Sequence, residues 1–420
     1  RQAFAALLFV ALSAADPTPE CSSFKGTRCL VGAAEALRDS DLGLREVAWV
    51  GPEKNGVFVG SPSIARAPKS GALLASHDFF GATTFNQTTA VFRNPDGTGL
   101  GEWEFAGNLT PTYWSNLFTF LDGNTYLMGV DQGDAGHSRN IVISRSEDEG
   151  NTWTSPQVLF AAKDGCDNAH TPCSYHCAPT PTIHGSDGRL YRAFEARGNL
   201  GAVIVSTANP VNGSTDLLDP TTWRMSNVVN FTRDWVPSAW GESGWGWQEG
   251  NAIQGPDAIY NILRLDGQNT KGYNKAVVLR LDPSNATLSY RGIIDFPSTS
   301  SKFEIRWDEV TESYYTLSND VIPEAVQEGV VWARNHLVLA MSRDLVHWTT
   351  CATLLTDDSG FDFRASAQYT GFHYVSWIFS GKDIISAIRT GYRGANSYHN
   401  ANRLTVKIVS DYATLCTPQE

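Results

Sequence analysis

Residues 146–153 read Ser146-Glu147-Asp148-Glu149-Gly150-Asn151-Thr152-Trp153. In an S-x-D-x-G-x-T-W order the short polar side chains bond the backbone of a turn, Gly tolerates unusual dihedrals, and Trp offers a large face to an adjoining layer. The stretch predicts a hairpin tip stapled by Ser146, Asp148, Gly150 and Thr152, with Trp153 packed between layers. A shortened relative is Ser342-Arg343-Asp344-Leu345-Val346-His347-Trp348, and a stretched one lies between Asp216 and Trp223. Around these tips, from about residue 46, the chain repeats one grammar: an apolar alternating run, a Gly-containing turn, a second run, and a third run ending in a polar loop. Pro62-Ser63-Ile64-Ala65 turns at Lys69-Ser70-Gly71 into Ala72 to His77. Leu117-Phe118-Thr119-Phe120 turns at Asp122-Gly123-Asn124 into Tyr126-Leu127-Met128. Further turns fall at Asp187-Gly188, Gly255-Pro256-Asp257, Glu309 to Glu312 and Ser380-Gly381-Lys382. Unit starts near residues 61, 115, 180, 250, 303 and 372 lie too far apart for solenoid turns and suit four-stranded blades with insertions. The reading is all-β: a single β-propeller over residues 46–410 with six blades visible, or seven if an insertion hides one. Val47-Ala48-Trp49-Val50 is expected to pair with Leu404 to Val409 and close the ring.

Length alone, 420 residues, argues for two or three domains, and the repeat replaces that with one radial domain. The balance of 32 Lys+Arg against 44 Asp+Glu, net −12, repels a phosphate backbone and sets nucleic acid aside. Arg1, the apolar run Ala3 to Leu12 and Ser13-Ala14-Ala15 form the pattern of a secretory signal over residues 1–15, too short to span a bilayer. An N-terminal segment, 16–45, and a C-terminal tail, 411–420, flank the propeller. Five N-x-[ST] sequons, at Asn86, Asn108, Asn212, Asn230 and Asn285, agree with export as a glycoprotein; the mature protein is expected to be a monomer that does not insert in a membrane. In that compartment cysteines read first as disulfides. Cys21 and Cys29 are near enough to staple the N-terminal segment. Cys166, Cys173 and Cys177, with His170 and His176, form either a disulfide-tied loop or a metal site, and seven cysteines leave one thiol over.

In a propeller the loops at one rim converge on the channel, so site residues recur at unit starts and second-strand ends. Those positions hold His77-Asp78, Tyr113-Trp114, His137-Ser138-Arg139, His176, Glu195 with Arg197, Trp247-Gln248-Glu249, Arg264, Lys302, Tyr374 and Tyr398-His399-Asn400. Aromatic faces that stack on sugar C–H surfaces, beside cations that hold carboxylates, point to an acidic oligosaccharide or polysaccharide. Each has a structural alternative: a hairpin histidine for His77, an inter-blade ion pair for Glu249 or Arg264, a core wedge for Trp247, surface or disulfide-loop roles for His137 and His176.

The Ser146 to Trp153 turn resembles the Asp-box, or BNR repeat, of sialidase-superfamily propellers. Glu249-Gly250-Asn251 through Asn261-Ile262-Leu263-Arg264 is similar to the sialidase blade that supplies a catalytic-site Glu and one Arg of a carboxylate-binding triad, which implies those roles for Glu249 and Arg264. Lys302 stands where a sialidase has another Arg, and Tyr369 or Tyr374 lies near the position of the nucleophilic Tyr. The first unit departs from the family: Gly60-Ser61-Pro62 replaces Arg-Ile-Pro, so the leading triad Arg is missing. Ser76-His77-Asp78-Phe79-Phe80-Gly81, Trp247-Gln248-Glu249-Gly250-Asn251, and Arg393-Gly394-Ala395-Asn396 to Tyr398-His399-Asn400 resemble a side branch that removes terminal rhamnose from glucuronate, by elimination or hydrolysis. That resemblance implies His77 as base or acid, Arg264 and Lys302 on the uronate carboxylate, and a Tyr or second His, such as His399, to complete the proton inventory. The alternatives are an exo-sialidase with an altered triad and a non-catalytic glycan-binding propeller. None needs a cofactor or catalytic metal; a structural cation in the channel stays open.

Overall fold

A computed structural model of the protein describes residues 42–50, 56–81, 88–131, 139–163 and 174–416. The expected leader, Cys21, Cys29, Asn86, His137, Ser138, Cys166, His170 and Cys173 lie outside the described residues.

Six antiparallel sheets follow one another along the chain. Blade I is Val57–Arg66, Leu73–Gly81, Thr89–Asn94 and Glu104–Leu109; blade II is Tyr113–Thr119, Thr125–Val130, Ile141–Ser146 and Gln157–Phe160. In blade III the inner edge is broken into Tyr175–His176 and Ile183–His184, both pairing with Leu190–Ala196, and Gly201–Thr207 and Trp223–Met225 complete the sheet. Blade IV is Gly246–Gln254, Ile259–Asp266, Lys275–Asp282 and Thr287–Asp295; blade V is Glu304–Asp308, Ser313–Ser318, His336–Ser342 and Trp348–Thr356. Blade VI takes Gly371–Ser380, Asp383–Gly391 and Arg403–Val409 from the end of the chain and its outer strand, Arg45–Trp49, from the beginning. Trp49 pairs with Arg403 and Arg45 with Val406, so the ring is closed by hydrogen bonds between chain ends. The architecture is a six-bladed propeller. Among the described residues, no helix is long and apolar enough to cross a membrane.

Twisted sheets packed face to face must bury both faces, and each blade interface has its own apolar cluster. Leu74, Leu117 and Leu127 meet between blades I and II, Phe194, Val203 and Met128 between II and III, and Trp247, Leu263 and Tyr191 between III and IV. Around the channel the inner strands are also tied by polar groups. Ser63 accepts from Leu117 N (2.9 Å), Asn116 from Thr182 N (2.9 Å), Glu195 from Gly250 N (3.0 Å), Asn251 from Ile305 N (3.3 Å) and Ser376 from Ile64 N (3.2 Å). Between blades V and VI the link is a buried ammonium bonded to backbone carbonyls. Lys302, 1% exposed, gives its ammonium to Glu304 (2.7 Å) and to the carbonyls of Val375 (2.9 Å) and Tyr374 (3.4 Å).

The hairpin tips behave as their side chains dictate. Ser146 Oγ donates to Asp148 (2.9 Å) and accepts from Gly150 N (2.7 Å), while Asp148 accepts from Thr152 N (2.8 Å) and Thr152 Oγ1 (2.6 Å). Trp153 then donates to the Gly150 carbonyl (3.2 Å) and packs on the cluster between blades I and II. Among the described residues one disulfide forms, and the leftover thiol is one of the three clustered cysteines. Cys351 on the outer strand of blade V is bonded to Cys416 in the C-terminal tail, whereas Cys177 is a buried free thiol within 3.2 Å of the Trp114 carbonyl.

Candidate active site

Four inner strands carry the same irregularity at the same height. Val59 pairs with Phe79 but Pro62 with His77; Tyr113 with Val130 but Asn116 with Met128; Gln248 with Arg264 but Asn251 with Ile262; His373 with Arg389 but Ser376 with Ala387. Each is a one-residue bulge, a device that re-aims a side chain. The bulged residues Trp114, Glu249 and Tyr374 have left-handed backbone, φ 54°, 63° and 55°, a strained state for non-glycine residues that clusters at functional sites. The fourth bulge holds Gly60. A Cβ there would lie 2.2 Å from Asp78 Oδ2 and 2.4 Å from its carbonyl oxygen, so the space beside residue 60 is taken by Asp78 and no side chain fits there.

The bulges in blades IV and VI bring Glu249 and Tyr374 together. The Tyr374 hydroxyl donates to Glu249 Oε1, and Glu249 Oε2 is 3.1 Å from Arg264 Nη1, which itself lies 3.5 Å from the Tyr374 oxygen. Burial, and next the charge of Glu249, push the phenol up to about 12, while Arg264 and Arg334 pull the other way. Burial opposes the charge on Arg264, yet Asp266 and Glu249 outweigh it and hold that guanidinium above its ordinary pKa.

Two further arginines surround the same ring. Arg334, from the segment between the second and third strands of blade V, sits 5.5 Å over Tyr374 and 5.3 Å over Tyr398, with its nitrogens on Ser300 O (2.7 Å) and His373 Nδ1 (3.1 Å). Arg389, on the second strand of blade VI, lies 5.2 Å over Tyr374 and 4.4 Å over Phe80 and donates to the His399 carbonyl. Both are under 9% exposed, and the Nε of each is buried without a hydrogen-bond partner. No carboxylate among the described residues reaches ion-pair distance of either, in contrast to Arg264. Burial, more than any neighbour, lowers Arg389 to about 10. A buried cation short of a counter-charge is costly, and an anionic ligand supplies that charge.

Asp78 is 2% exposed and accepts from Ser61 N (3.0 Å). Burial raises it to about 7, against the pull of Arg389. His77 points the other way: its ring is edge-on to Phe79 (4.7 Å) and stacked on Phe92 (5.7 Å), its Nδ1 is held by the Asp78 carbonyl (2.9 Å), and burial lowers it to about 4. Lys302 is likewise committed within the protein, its ammonium bonded to Glu304 and to the Tyr374 and Val375 carbonyls. Trp247 is a wedge between blades, 2% exposed and bonded to the Leu200 carbonyl (2.7 Å), and Gln248 reaches Asp266 (2.7 Å). His399 offers its backbone carbonyl to Arg389 and an exposed ring, edge-on to Phe80 at 5.1 Å.

A second group lies on blades II and III. Arg139 covers Trp114 (4.4 Å) and Tyr113 (5.1 Å), Trp114 meets the His176 ring at 4.5 Å, and His176 Nδ1 bonds Glu195 Oε2 (2.8 Å). Glu195 Oε1 accepts from Gly250 N (3.0 Å), which joins this group to the Glu249 bulge. His176 is thus a carboxylate partner. Of the residues singled out from sequence, Glu249, Arg264 and Tyr374 come together with Asp78 alongside, and Tyr113, Trp114, Arg139 and His176 gather on blades II and III. Arg334 and Arg389 were missed. Arg389 had a signal: fifteen residues separate Glu249 from Arg264, and fifteen separate Tyr374 from Arg389. Arg334 has no counterpart at that spacing.

No protein-family model and no curated protein matches the chain. Solved structures do. A Trypanosoma rangeli sialidase in complex with the inhibitor DANA aligns with TM-score 0.57 at 13% identity, over 85% of this chain and 56% of that one. An intramolecular trans-sialidase from Ruminococcus gnavus in complex with oseltamivir carboxylate gives 0.57 at 10%, over 89% and 99%. An α-L-arabinofuranosidase from Fusarium graminearum in complex with an iminosugar inhibitor gives 0.56 at 11%, over 88% and 97%. The chain therefore has the six-bladed propeller fold found in sialidases and related glycosidases.

Proposed function

We propose that this protein is a glycan-cleaving enzyme whose reacting sugar carries a carboxylate. The observation that carries the reading is the Tyr374–Glu249 hydrogen bond enclosed by Arg264, Arg334 and Arg389, two of which have no protein carboxylate in reach among the described residues. The arginines take the substrate carboxylate by paired N–H donors. Glu249 accepts the Tyr374 proton as the phenolic oxygen attacks the anomeric carbon, which offsets the high phenol pKa. The bond to the departing oxygen breaks, and Asp78, still half protonated near pH 7, supplies its proton. Water, giving one proton to the now ionised Asp78, then attacks the same carbon and displaces Tyr374, and the phenolate recovers its proton from Glu249. The neighbours' fold supports glycan substrates in general.

The narrower reading, release of terminal rhamnose from glucuronate, uses the same clamp differently. The arginines neutralise a uronate carboxylate and so acidify the proton on the adjacent carbon; the Tyr374–Glu249 pair removes it, a 4,5-double bond forms as the bond from C4 to the rhamnose oxygen breaks, and Asp78 protonates that oxygen. The sialic acid reading keeps attack at the anomeric carbon. We also place the protein outside the cell, on the Cys351–Cys416 disulfide and the exposed sequon residues Asn212 and Asn285.

The test is product analysis on sialosides and on gum arabic. Hydrolysis frees an intact acidic sugar or rhamnose, and elimination leaves an unsaturated uronate absorbing in the ultraviolet. Tyr374→Phe and Glu249→Gln should each lower kcat by about 10²–10⁴-fold with KM little changed. Wild-type rates in either variant would remove the pair from the mechanism, and binding without turnover on both panels would leave a glycan-binding propeller.

A further inference from the structure

Among the described residues three Phe, Tyr or Trp side chains are exposed at their surface: Trp332 at 36%, Phe361 at 53% and Tyr369 at 46%. Exposed aromatics are expensive to leave in water, and here they gather on one sector of the rim, over blades V and VI, rather than scatter. Phe361 and Tyr369 meet at a tilt of 50°, ring centroids 6.0 Å apart, and line a cavity of about 430 Å³ with Asp358, Ser359 and Arg393. That volume falls in the range of small-molecule sites. Its walls pair apolar ring faces with a carboxylate, a hydroxyl and a guanidinium, the combination that reads both the C–H faces and the hydroxyls of a sugar ring.

Two pieces of backbone run from the walls of this cavity to the candidate active site. The helix Phe363–Tyr369 has Tyr369 in the cavity, and next to it the Gln368 carbonyl accepts from Tyr398 N (2.9 Å). The loop that begins with Arg393 and Gly394 in the cavity ends at Tyr398 and His399, whose carbonyls hold His373 Nε2 (2.8 Å) and Arg389 respectively. Arg393 and Gly394 both have left-handed backbone, φ 44° and 90°, and Asp358 is fixed by the Tyr392 hydroxyl, so the loop has a defined course.

We infer that this cavity is a distal subsite that holds a further sugar ring of the same glycan chain whose end is cleaved at Tyr374. The inference rests on the proposed glycosidic activity for its occupant and adds that the enzyme prefers a chain over a single sugar. A substrate too short to reach from Tyr374 to Phe361 gains nothing from the cavity, and a longer one gains affinity with no change in the chemical step.

The experiment uses Phe361→Ala/Tyr369→Ala, whose parent side chains are exposed, so that the fold is not at stake. On an oligosaccharide substrate the double variant should raise KM at least tenfold at unchanged kcat, and on an aryl monosaccharide it should match wild type. Equal KM changes on both, or none on either, would overturn the subsite. A second arm separates it from the activity: calorimetric titration of Glu249→Gln protein with oligosaccharides from gum arabic and with sialyllactose, with and without the double substitution. Tenfold weaker binding in the doubly substituted protein supports the subsite even if no cleavage is ever detected. Binding insensitive to the substitutions, or no saccharide binding at all, sinks it whatever the fate of the active-site reading.

Discussion

At the scale of single residues, His77 and Asp78 show how one position along a strand decides chemistry. Alternation sends adjacent side chains to opposite faces, so only one of the two can turn to the mouth, and it is the carboxylate. Asp78 is held at about 7 by burial, well above the 3.8 of a free aspartate, and so binds its proton more tightly in the folded chain than in the unfolded one. Its contribution to stability is complete below pH 3.8 and is lost as pH rises through 7, a change on the order of 4 kcal/mol at ~1.4 kcal/mol per pKa unit. Asp78→Asn should therefore flatten the rise in urea sensitivity between pH 4 and 8, and a variant with the wild-type slope would show that Asp78 is not the group responsible. In activity the same residue sets the alkaline limb: rates should fall as pH passes 7, and the variant should lose turnover of poor leaving groups while retaining nitrophenyl glycosides. Which of the two neighbours faced the site was not readable from sequence, because a bulge earlier in the hairpin, at Gly60-Ser61, sets the register. Glu249, Arg264 and Tyr374 were readable because each falls at a unit start or across from one. Lys302 falls there too, yet a lysine two residues before a buried glutamate satisfies that charge rather than a substrate's.

At the scale of the hairpin, the Ser146 to Trp153 tip has more relatives than its sequence pattern reveals. Trp153 donates to Gly150 O (3.2 Å), Trp348 to Leu345 O (3.3 Å), Trp223 to Leu217 O (2.9 Å) and, in blade I, Trp103 to Gly99 O (3.2 Å). The fourth was hidden because Asn94 replaces the leading Ser and caps Gly99 N (2.8 Å) from nine residues before the Trp. What recurs is an indole bonded to its own turn and packed against the preceding blade, and the polar residues are interchangeable ways to shape that turn. Asp148 makes three of the bonds at its tip, all in partly exposed surroundings, so Asp148→Ala should cost about 1–3 kcal/mol, read as a shift in thermal midpoint. Activity at 25 °C should be unchanged, since this tip lies at the far end of its blade from the bulges. A loss of kcat without a loss of stability would mean that the tip communicates with the site.

At the scale of the whole ring, the site is a product of closure. Tyr374 and Arg389 belong to blade VI, Glu249 and Arg264 to blade IV, Arg334 to blade V and Asp78 to blade I, so their spacing depends on the ring being shut. The shutting strand is Arg45–Trp49, and its charge lock is Glu46, 6% exposed, against Arg403, 3% exposed, in direct ion contact. Breaking one partner of a buried pair leaves an uncompensated charge and costs about 3–5 kcal/mol, whereas replacing both by apolar residues of similar size is close to neutral. Glu46→Ala should therefore destabilise strongly, and Glu46→Leu/Arg403→Met should recover most of that loss in urea unfolding. The functional consequence follows from geometry. If closure positions the site, Glu46→Ala should lose active-site ligand affinity in urea below its unfolding midpoint, as the outer strand frays and blade VI, with Tyr374 and Arg389, shifts against blades I and IV. The alternative is a lock that serves stability alone. In that case affinity would hold until the single global transition, and the double variant would be indistinguishable from wild type in binding at every denaturant concentration below it.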